Sequence, residues 1–174
     1  EENSYNLINL NNNNKINADD KSSMPYNLEA EQSFLGAILF DNTTIENTMD
    51  LIKDYHLYEP LHQEIYQACL ILFDNNKLAD PTTLKGYLRD KNPNRKIDIS
   101  DYLNKLKGSV LSISNINSYA NEIKNCYLRR CLVRISDDIK ENSLNIKIDT
   151  SPEDLIERAE ESLFNLAEKD KVDN

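Results

Sequence analysis

Apolar residues recur at steps of three and four along most of the chain, the spacing of one helix face. The longest row predicts a helix from Asn115 to Ile139, and a second row predicts another from Pro152 to Ala167. The first row consists of Ile116, Ala120, Ile123, Tyr127, Cys131, Ile135 and Ile139, and the second of Leu155, Ala159, Leu163 and Leu166. Two amphipathic helices with a short linker predict an antiparallel hairpin. The first arm is about 40 Å long, so we expect a further surface to cover its apolar row.

Five shorter helices are predicted before the hairpin, because capping residues and prolines mark their starts. Asn27 is the expected cap of the first helix, with Glu29 and Glu31 placed to suit the helix dipole. The helices are expected from Leu28, from Thr44 to about Lys53, from Pro60, from Pro81 after the capping Asp80, and from Ser100 or Asp101 to Gly108.

These elements predict an all-α protein in which a compact helical head, residues 24–112, precedes a helical hairpin, residues 113–168. With 3 glycines and 5 prolines the chain offers few turns, which favours the helical class. Residues 1–23 are Asn-rich and are predicted to form a disordered tail. Residues 169–174 are polar and are predicted to begin a linker.

The composition narrows the possible functions. No apolar run is long enough to span a bilayer, no secretory signal is recognisable, and an odd count of 3 cysteines predicts reduced thiols inside a cell. The formal net charge is −10 and no stripe of basic residues stands out, so tight binding of DNA by this segment alone is not expected.

We predict no catalytic, cofactor or metal site in this chain. It has no GxxxxGK[ST] phosphate loop, no GxGxxG and no HExxH. His56 and His62 are six residues apart, which places them on different faces of a helix, so each is predicted to be a hydrogen-bonded structural residue. Cys69, Cys126 and Cys131 are predicted to pack as small apolar side chains.

Arg129, Arg130 and Arg134 form a local cluster of positive charge on the long arm. One interpretation is that they bind an acidic partner surface or a phosphate backbone. The alternative is that their stems cover apolar surface while the charged ends stay in water.

Seven motifs, in order and over residues 24–168, resemble the N-terminal domain of the DnaB-type replicative DNA helicases of bacteria. They are Met24-Pro25-x-Asn27-Leu28-Glu29-Ala30-Glu31-Gln32-x-x-Leu35-Gly36-Ala37-Ile38-Leu39, Tyr58-x-x-x-His62-x-x-Ile65-Tyr66, Asp80-Pro81-x-Thr83-Leu84, Tyr102-Leu103-x-x-Leu106, Asn115-Ile116-x-x-Tyr119-Ala120-x-x-Ile123, Arg130-x-Leu132 and Glu161-x-Leu163-Phe164-x-Leu166-Ala167-Glu168. Family members often carry Gly-Gly where this chain has Ile99-Ser100-Asp101, so the entry to the fifth helix is expected to differ.

The resemblance implies a non-catalytic collar domain whose hairpins pair between subunits of a hexameric ring. In the family this collar binds the C-terminal domain of primase and, in some members, the helicase loader. A RecA-like motor that uses ATP and Mg would follow a linker and would be the part that holds DNA, in the cytoplasm of a bacterium or in an organelle of bacterial descent.

From this resemblance we predict self-association through the hairpin and partner binding through Arg129, Arg130 and Arg134. The residues predicted to self-associate are Tyr127, Leu128, Cys131, Leu132, Ile135, Leu155, Ala159 and Leu163. The alternative is a stand-alone helical adaptor without a motor, which a phosphate loop encoded downstream would exclude. A third hypothesis, direct binding of single-stranded DNA, predicts a salt-sensitive complex with an oligonucleotide.

Overall fold

A computed structural model describes residues 24–91, 98–110, 115–145 and 150–172. The helices are α1 (Leu28–Phe40), α2 (Thr44–Thr48), a 3₁₀ turn (Asp54–His56), α3 (Pro60–Asp74), α4 (Pro81–Lys91), α5 (Ile99–Gly108), α6 (Ile116–Leu144) and α7 (Pro152–Val172). Within these ranges there is no strand, and the predicted all-α fold of a head followed by a hairpin is confirmed. The tail predicted for residues 1–23 lies outside the described residues.

Capping side chains fix the helix starts much as the sequence predicts. Asn27 Oδ1 accepts a hydrogen bond from Ala30 N at 3.0 Å, and Asp80 Oδ1 accepts from the N–H groups of Thr82 and Thr83 at 2.8 and 2.9 Å. The Thr83 N–H is the main reason that the pKa of the Asp80 carboxyl lies below its usual range. These bonds satisfy donors that a helix start otherwise leaves open.

Four helix boundaries differ from the prediction. The second helix ends at Thr48 rather than near Lys53, and α5 begins at Ile99 because Asp98 Oδ1 accepts hydrogen bonds from Ser100 N and Asp101 N. This cap sets the entry to the fifth helix at Ile99. The hairpin arms are longer than predicted, since α6 continues to Leu144 and α7 to Val172.

The head is built around α1, which packs against α3, α5 and the first half of α6. Phe34 has no exposed surface and meets Tyr66 edge to face, with ring centroids 5.3 Å apart. Burial raises the pKa of Tyr66, whose hydroxyl donates to Ile52 O at 3.1 Å. Burial likewise raises the pKa of the Cys69 thiol to about 12. The predicted packing of Cys69 and Cys126 is confirmed, because both lie buried as free thiols.

Gly36 lets α1 and the end of α5 touch. A Cβ atom at this position would lie 2.5 Å from Leu106 O and 2.9 Å from Val110 Cγ2. Both distances are shorter than van der Waals contact, so only glycine fits without moving a backbone.

A buried polar chain links α1, α3 and α5. The carboxylate of Glu31 contacts His62 Nδ1 at 2.6 Å, and His62 Nε2 lies 2.7 Å from Tyr102 Oη. Glu31 also accepts hydrogen bonds from the N–H groups of Tyr58 and Glu59. The predicted dipole role of Glu31 is therefore incomplete, because its side chain is buried and orders the loop before α3. The structural role predicted for His62 is confirmed.

Candidate assembly surface on the hairpin

The hairpin is anchored in the head by only half of α6. Ile116, Ala120, Ile123 and Cys126 are buried against the head, whereas α6 beyond Arg130 has no buried residue. The described part of α7 packs chiefly against α6. Head and hairpin thus share one helix, and the second half of α6 together with α7 extends beyond the core.

Arg130 marks the point where α6 leaves the head. Its side chain is 3% exposed, and its guanidinium donates to Pro25 O at 2.8 Å and to His56 O at 2.6 Å. Burial lowers the pKa of Arg130. The prediction that Arg130 binds a partner is wrong for this reason: both carbonyl contacts lie within the chain, and little of the side chain reaches the surface.

Aromatic rings surround the guanidinium of Arg130. It lies 5.5 Å from the ring centroid of Tyr58 and 5.8 Å from that of Tyr127, and Tyr26 stacks on Tyr58 at 4.7 Å. The Tyr127 ring also packs on His56 at 4.5 Å, and burial is the main reason that its pKa is raised to about 12. Tyr127 therefore belongs mainly to the junction of head and hairpin.

The structural role predicted for His56 is confirmed as well. Its Nδ1 atom accepts a hydrogen bond from Lys53 N at 3.1 Å, and the imidazole is buried. Among the described residues no group of three or more His, Cys, Asp or Glu side chains is arranged to hold a metal ion. The same part of the chain contains no helix that is both long and apolar enough to cross a membrane.

The residues predicted to self-associate fall into three groups. Leu132 and Leu163 are exposed, at 49% and 45% of their surface. Ile135, Leu155 and Ala159 face the contact between α6 and α7, where they line a groove of about 300 Å³. The remaining three, Tyr127, Leu128 and Cys131, are partly buried.

Further exposed apolar residues of the hairpin are absent from the predicted set, among them Ile156, Phe164 and Val133. Ile156 is 60% exposed and Phe164 64% exposed, and Val133 is also exposed. The prediction followed one apolar row along each helix, and Ile135, Leu155 and Ala159 of these rows line the groove between the helices. A second apolar row, beside the first on each helix, is the sequence signal that could have identified these residues.

The exposed leucines lie on the side of the hairpin that faces away from the head. Arg130 faces the head. Leu128 and Leu132 are each two residues from Arg130, so their side chains point about 160–200° away from its direction around the helix. On α7, Ile156 and Leu163 are seven residues apart and share one face beside Ala159. The two helices are antiparallel. Leu132 on α6 and Ile156 on α7 therefore lie on the same side of the plane that contains both helix axes. We call Leu128, Leu132, Ile156 and Leu163 the outer face.

The other two arginines of the predicted partner site diverge. Arg129 and Arg134 are exposed, and in the described part of the chain neither forms a salt bridge. Arg134 is one turn beyond Arg130 and follows its row, whereas Arg129 lies beside the outer face. The structure therefore separates the predicted arginine cluster into one junction residue and two independent surface cations.

A family model described as the DnaB-like helicase N terminal domain matches residues 23–125, more than half of the 174 residues. The replicative DNA helicase DnaB of Rickettsia prowazekii is 31% identical over 160 residues, which cover 90% of this chain and 33% of that protein. The replicative DNA helicase DnaC of Bacillus subtilis is 28% identical over 145 residues, covering 83% and 32%. The chain thus spans about a third of the length of these curated relatives.

Two solved structures share the fold. The N-terminal domain of DnaB helicase from Mycobacterium tuberculosis aligns with a TM-score of 0.74 at 26% identity, over 82% of this chain and 99% of that one. A DnaB-like replicative helicase, described with its interactions with primase, aligns with a TM-score of 0.64 at 24% identity, over 80% of this chain and 31% of that one. The chain therefore belongs to the family of DnaB-like helicase N-terminal domains.

Proposed function

We propose that this segment is the non-catalytic collar domain of a replicative DNA helicase, which joins subunits through the outer face of the hairpin and docks primase. The observation that carries the proposal is the outer face itself. It places large apolar side chains in water on the one part of the fold that extends beyond the head. Apolar surface grouped in this way is typical of a protein–protein interface.

The expected association is weak. Full burial of a large apolar side chain contributes about 1.5–3 kcal/mol, and the eight outer-face residues of two copies are already partly covered. Association itself costs roughly 4–15 kcal/mol. Two isolated copies should therefore pair only at tens of micromolar, in order-of-magnitude terms, and the remaining contacts of a ring would add to this.

Sedimentation velocity with matched variants tests self-association. Leu132→Asp places a charge on the outer face, whereas Leu144→Asp changes a more exposed leucine, at 71% against 49%, near the end of α6 and off this face. We expect the wild type and Leu144→Asp to shift toward dimer as concentration rises, and Leu132→Asp to stay monomeric. A wild type that remains monomeric, or a Leu132→Asp variant that pairs normally, would contradict the proposal.

Primase docking is the second half of the proposal. It is supported by the family membership and by the relative described with primase, and Arg129 and Arg134 supply exposed positive charge for an acidic partner surface. Titration calorimetry with the C-terminal domain of the cognate primase tests it. Arg134→Glu should weaken binding about tenfold, while Lys85→Glu, an equal charge change on α4 of the head, should not. Equal affinities would remove Arg134 from the site.

We propose that this segment is part of a longer protein. That protein would carry a motor domain outside this segment. ATP and Mg would bind there, since the described residues offer no phosphate loop and no metal-ligand group. DNA would be held by the motor, the helicase loader is a further expected partner, and the assembly would work in the cytoplasm. A GxxxxGK[ST] motif encoded downstream is the expected finding, and a stop codon directly after this segment would favour the adaptor instead.

A further inference from the structure

We infer that the loop of Tyr58, held inside the head by Glu31, is a latch that sets the direction in which the hairpin leaves the head. The loop, residues 57–59, connects the 3₁₀ turn to α3. Its backbone is bound by a buried carboxylate of α1, and its aromatic ring contacts a buried arginine of α6. The inference concerns a single chain and does not rest on the proposed self-association.

Glu31 holds the loop through backbone hydrogen bonds. Its side chain is 2% exposed, and its two carboxylate oxygens accept hydrogen bonds from the N–H groups of Tyr58 and Glu59. The carboxylate also contacts His62 Nδ1 at 2.6 Å, and His62 Nε2 lies 2.7 Å from Tyr102 Oη. A carboxylate offers only acceptors, which suits a site where two N–H groups and an imidazole converge. The loop is therefore tied to the position of α1 in the core.

The ring of Tyr58 contacts the last buried residue of α6. Arg130 Cζ lies 5.5 Å from the Tyr58 ring centroid, and Tyr26 stacks on the same ring at 4.7 Å. The guanidinium donates to His56 O, two residues before Tyr58, at 2.6 Å. Burial lowers the pKa of Arg130, and the carboxylate of Glu31 opposes this shift more than any other group. Glu31 thus acts on Arg130 both through the loop and through its charge.

The hairpin would enlarge any movement at this latch. No residue of α6 beyond Arg130 is buried, and the described part of α7 packs chiefly against α6. Leu144 ends α6 fourteen residues beyond Arg130, about 21 Å further along the helix axis. A rotation of about 10° at Arg130 would move that end by about 4 Å. A small displacement of the loop therefore becomes a large displacement of the hairpin end.

Pulsed electron spin resonance measures the direction of the hairpin. Spin labels at the exposed positions Lys85→Cys in α4 and Lys140→Cys in α6 report a distance between head and hairpin. The background carries Cys131→Ser to remove a partly exposed thiol, whereas Cys69 and Cys126 are buried and should not react. Labelled chains are diluted with unlabelled chains, so that only distances within one molecule are recorded.

Glu31→Gln should release the loop. Glutamine has nearly the same shape but replaces one acceptor oxygen by an NH2 group, so a donor of the loop or of His62 then faces another donor. We expect the distance maximum to move, or the distribution to widen, by about 4 Å. The control Tyr66→Phe removes a buried hydroxyl that donates to Ile52 O, so it should lower stability and leave the distribution unchanged. A Glu31→Gln distribution equal to that of the wild type would overturn the inference.

Two substitutions of Tyr58 decide the matter if Glu31→Gln does not fold. Tyr58 is 38% exposed, so both variants should fold. Tyr58→Leu removes the ring that faces the guanidinium of Arg130, and it should widen the distribution by about 4 Å as well. Tyr58→Phe keeps the ring and should match the wild type. The inference is overturned if Tyr58→Leu also matches the wild type, or if Tyr58→Phe is as broad as Tyr58→Leu.

Discussion

Phe34 in the head and Phe164 in the hairpin are the same side chain in opposite surroundings. Phe34 has no exposed surface and is enclosed by helices of its own chain, whereas Phe164 keeps 64% of its surface in water. The head also buries a polar chain in which Glu31, His62 and Tyr102 contact one another. The difference teaches that the core of the head is enclosed within one chain, whereas the hairpin beyond Arg130 keeps large apolar side chains in water.

The largest expected effect separates these two phenylalanines. Phe34→Ala should lower the free energy of unfolding by about 3–5 kcal/mol, because it leaves a cavity in the core. Phe164→Ala should change it by less than about 0.5 kcal/mol, as is usual for a surface change. Urea unfolding followed by circular dichroism, at a concentration where the protein is monomeric, measures both. Similar losses for the two variants would abolish the contrast between head and hairpin.

The next largest change in the free energy of unfolding is expected at the junction of head and hairpin, where two neighbouring arginines can be compared. Arg130→Met should cost about 2–4 kcal/mol, since the carbonyls of Pro25 and His56 lose a charged donor. Arg129→Met removes an exposed cation and should stay within about 0.5 kcal/mol. The same unfolding experiment compares them. If Arg130→Met is as stable as Arg129→Met, the junction is held by other contacts.

Substitutions at two glycines should give the smallest changes in stability, and these changes should have opposite signs. Gly36→Ala should destabilise the head by about 1–3 kcal/mol, because the added Cβ meets the backbone oxygen of Leu106. Gly86→Ala has open space around it within α4 and should stabilise by about 0.4–1 kcal/mol. Thermal unfolding of both variants would show a fall and a rise in Tm. A rise for Gly36→Ala would mean that α1 and α5 separate easily.

The sequence predicts the fold well because its signals are local. Caps at Asn27 and Asp80, and apolar rows at steps of three and four, place the helices before any contact is known. The misplaced start of α5 has a local cause too, since Asp98 offers a cap earlier than Ser100. Such features depend on neighbouring residues in the chain, which a single sequence contains.

The candidate site is predicted less well because it depends on contacts between distant residues. Arg130 looks like its neighbour Arg129 in the sequence, and only the fold brings Pro25, more than a hundred positions away, to its guanidinium. Glu31 is likewise predicted only to suit the dipole at a helix start, yet it reaches His62 and the loop before α3. Ile156 and Phe164 were missed because the sequence does not say which of two apolar rows a hairpin buries.

We expect the apolar surface of the head, but not that of the hairpin, to be covered within one chain. Hydrogen exchange at two protein concentrations tests this most directly, because it measures amide protection in both regions of one molecule. At about 1 µM and about 200 µM we expect equal protection for the amides of α1 and α3, since the head is complete in the monomer. Protection of α7 and of the second half of α6 should rise at the higher concentration. Protection of α7 that is identical at both concentrations would contradict the proposed division between head and hairpin, as would a rise confined to the head.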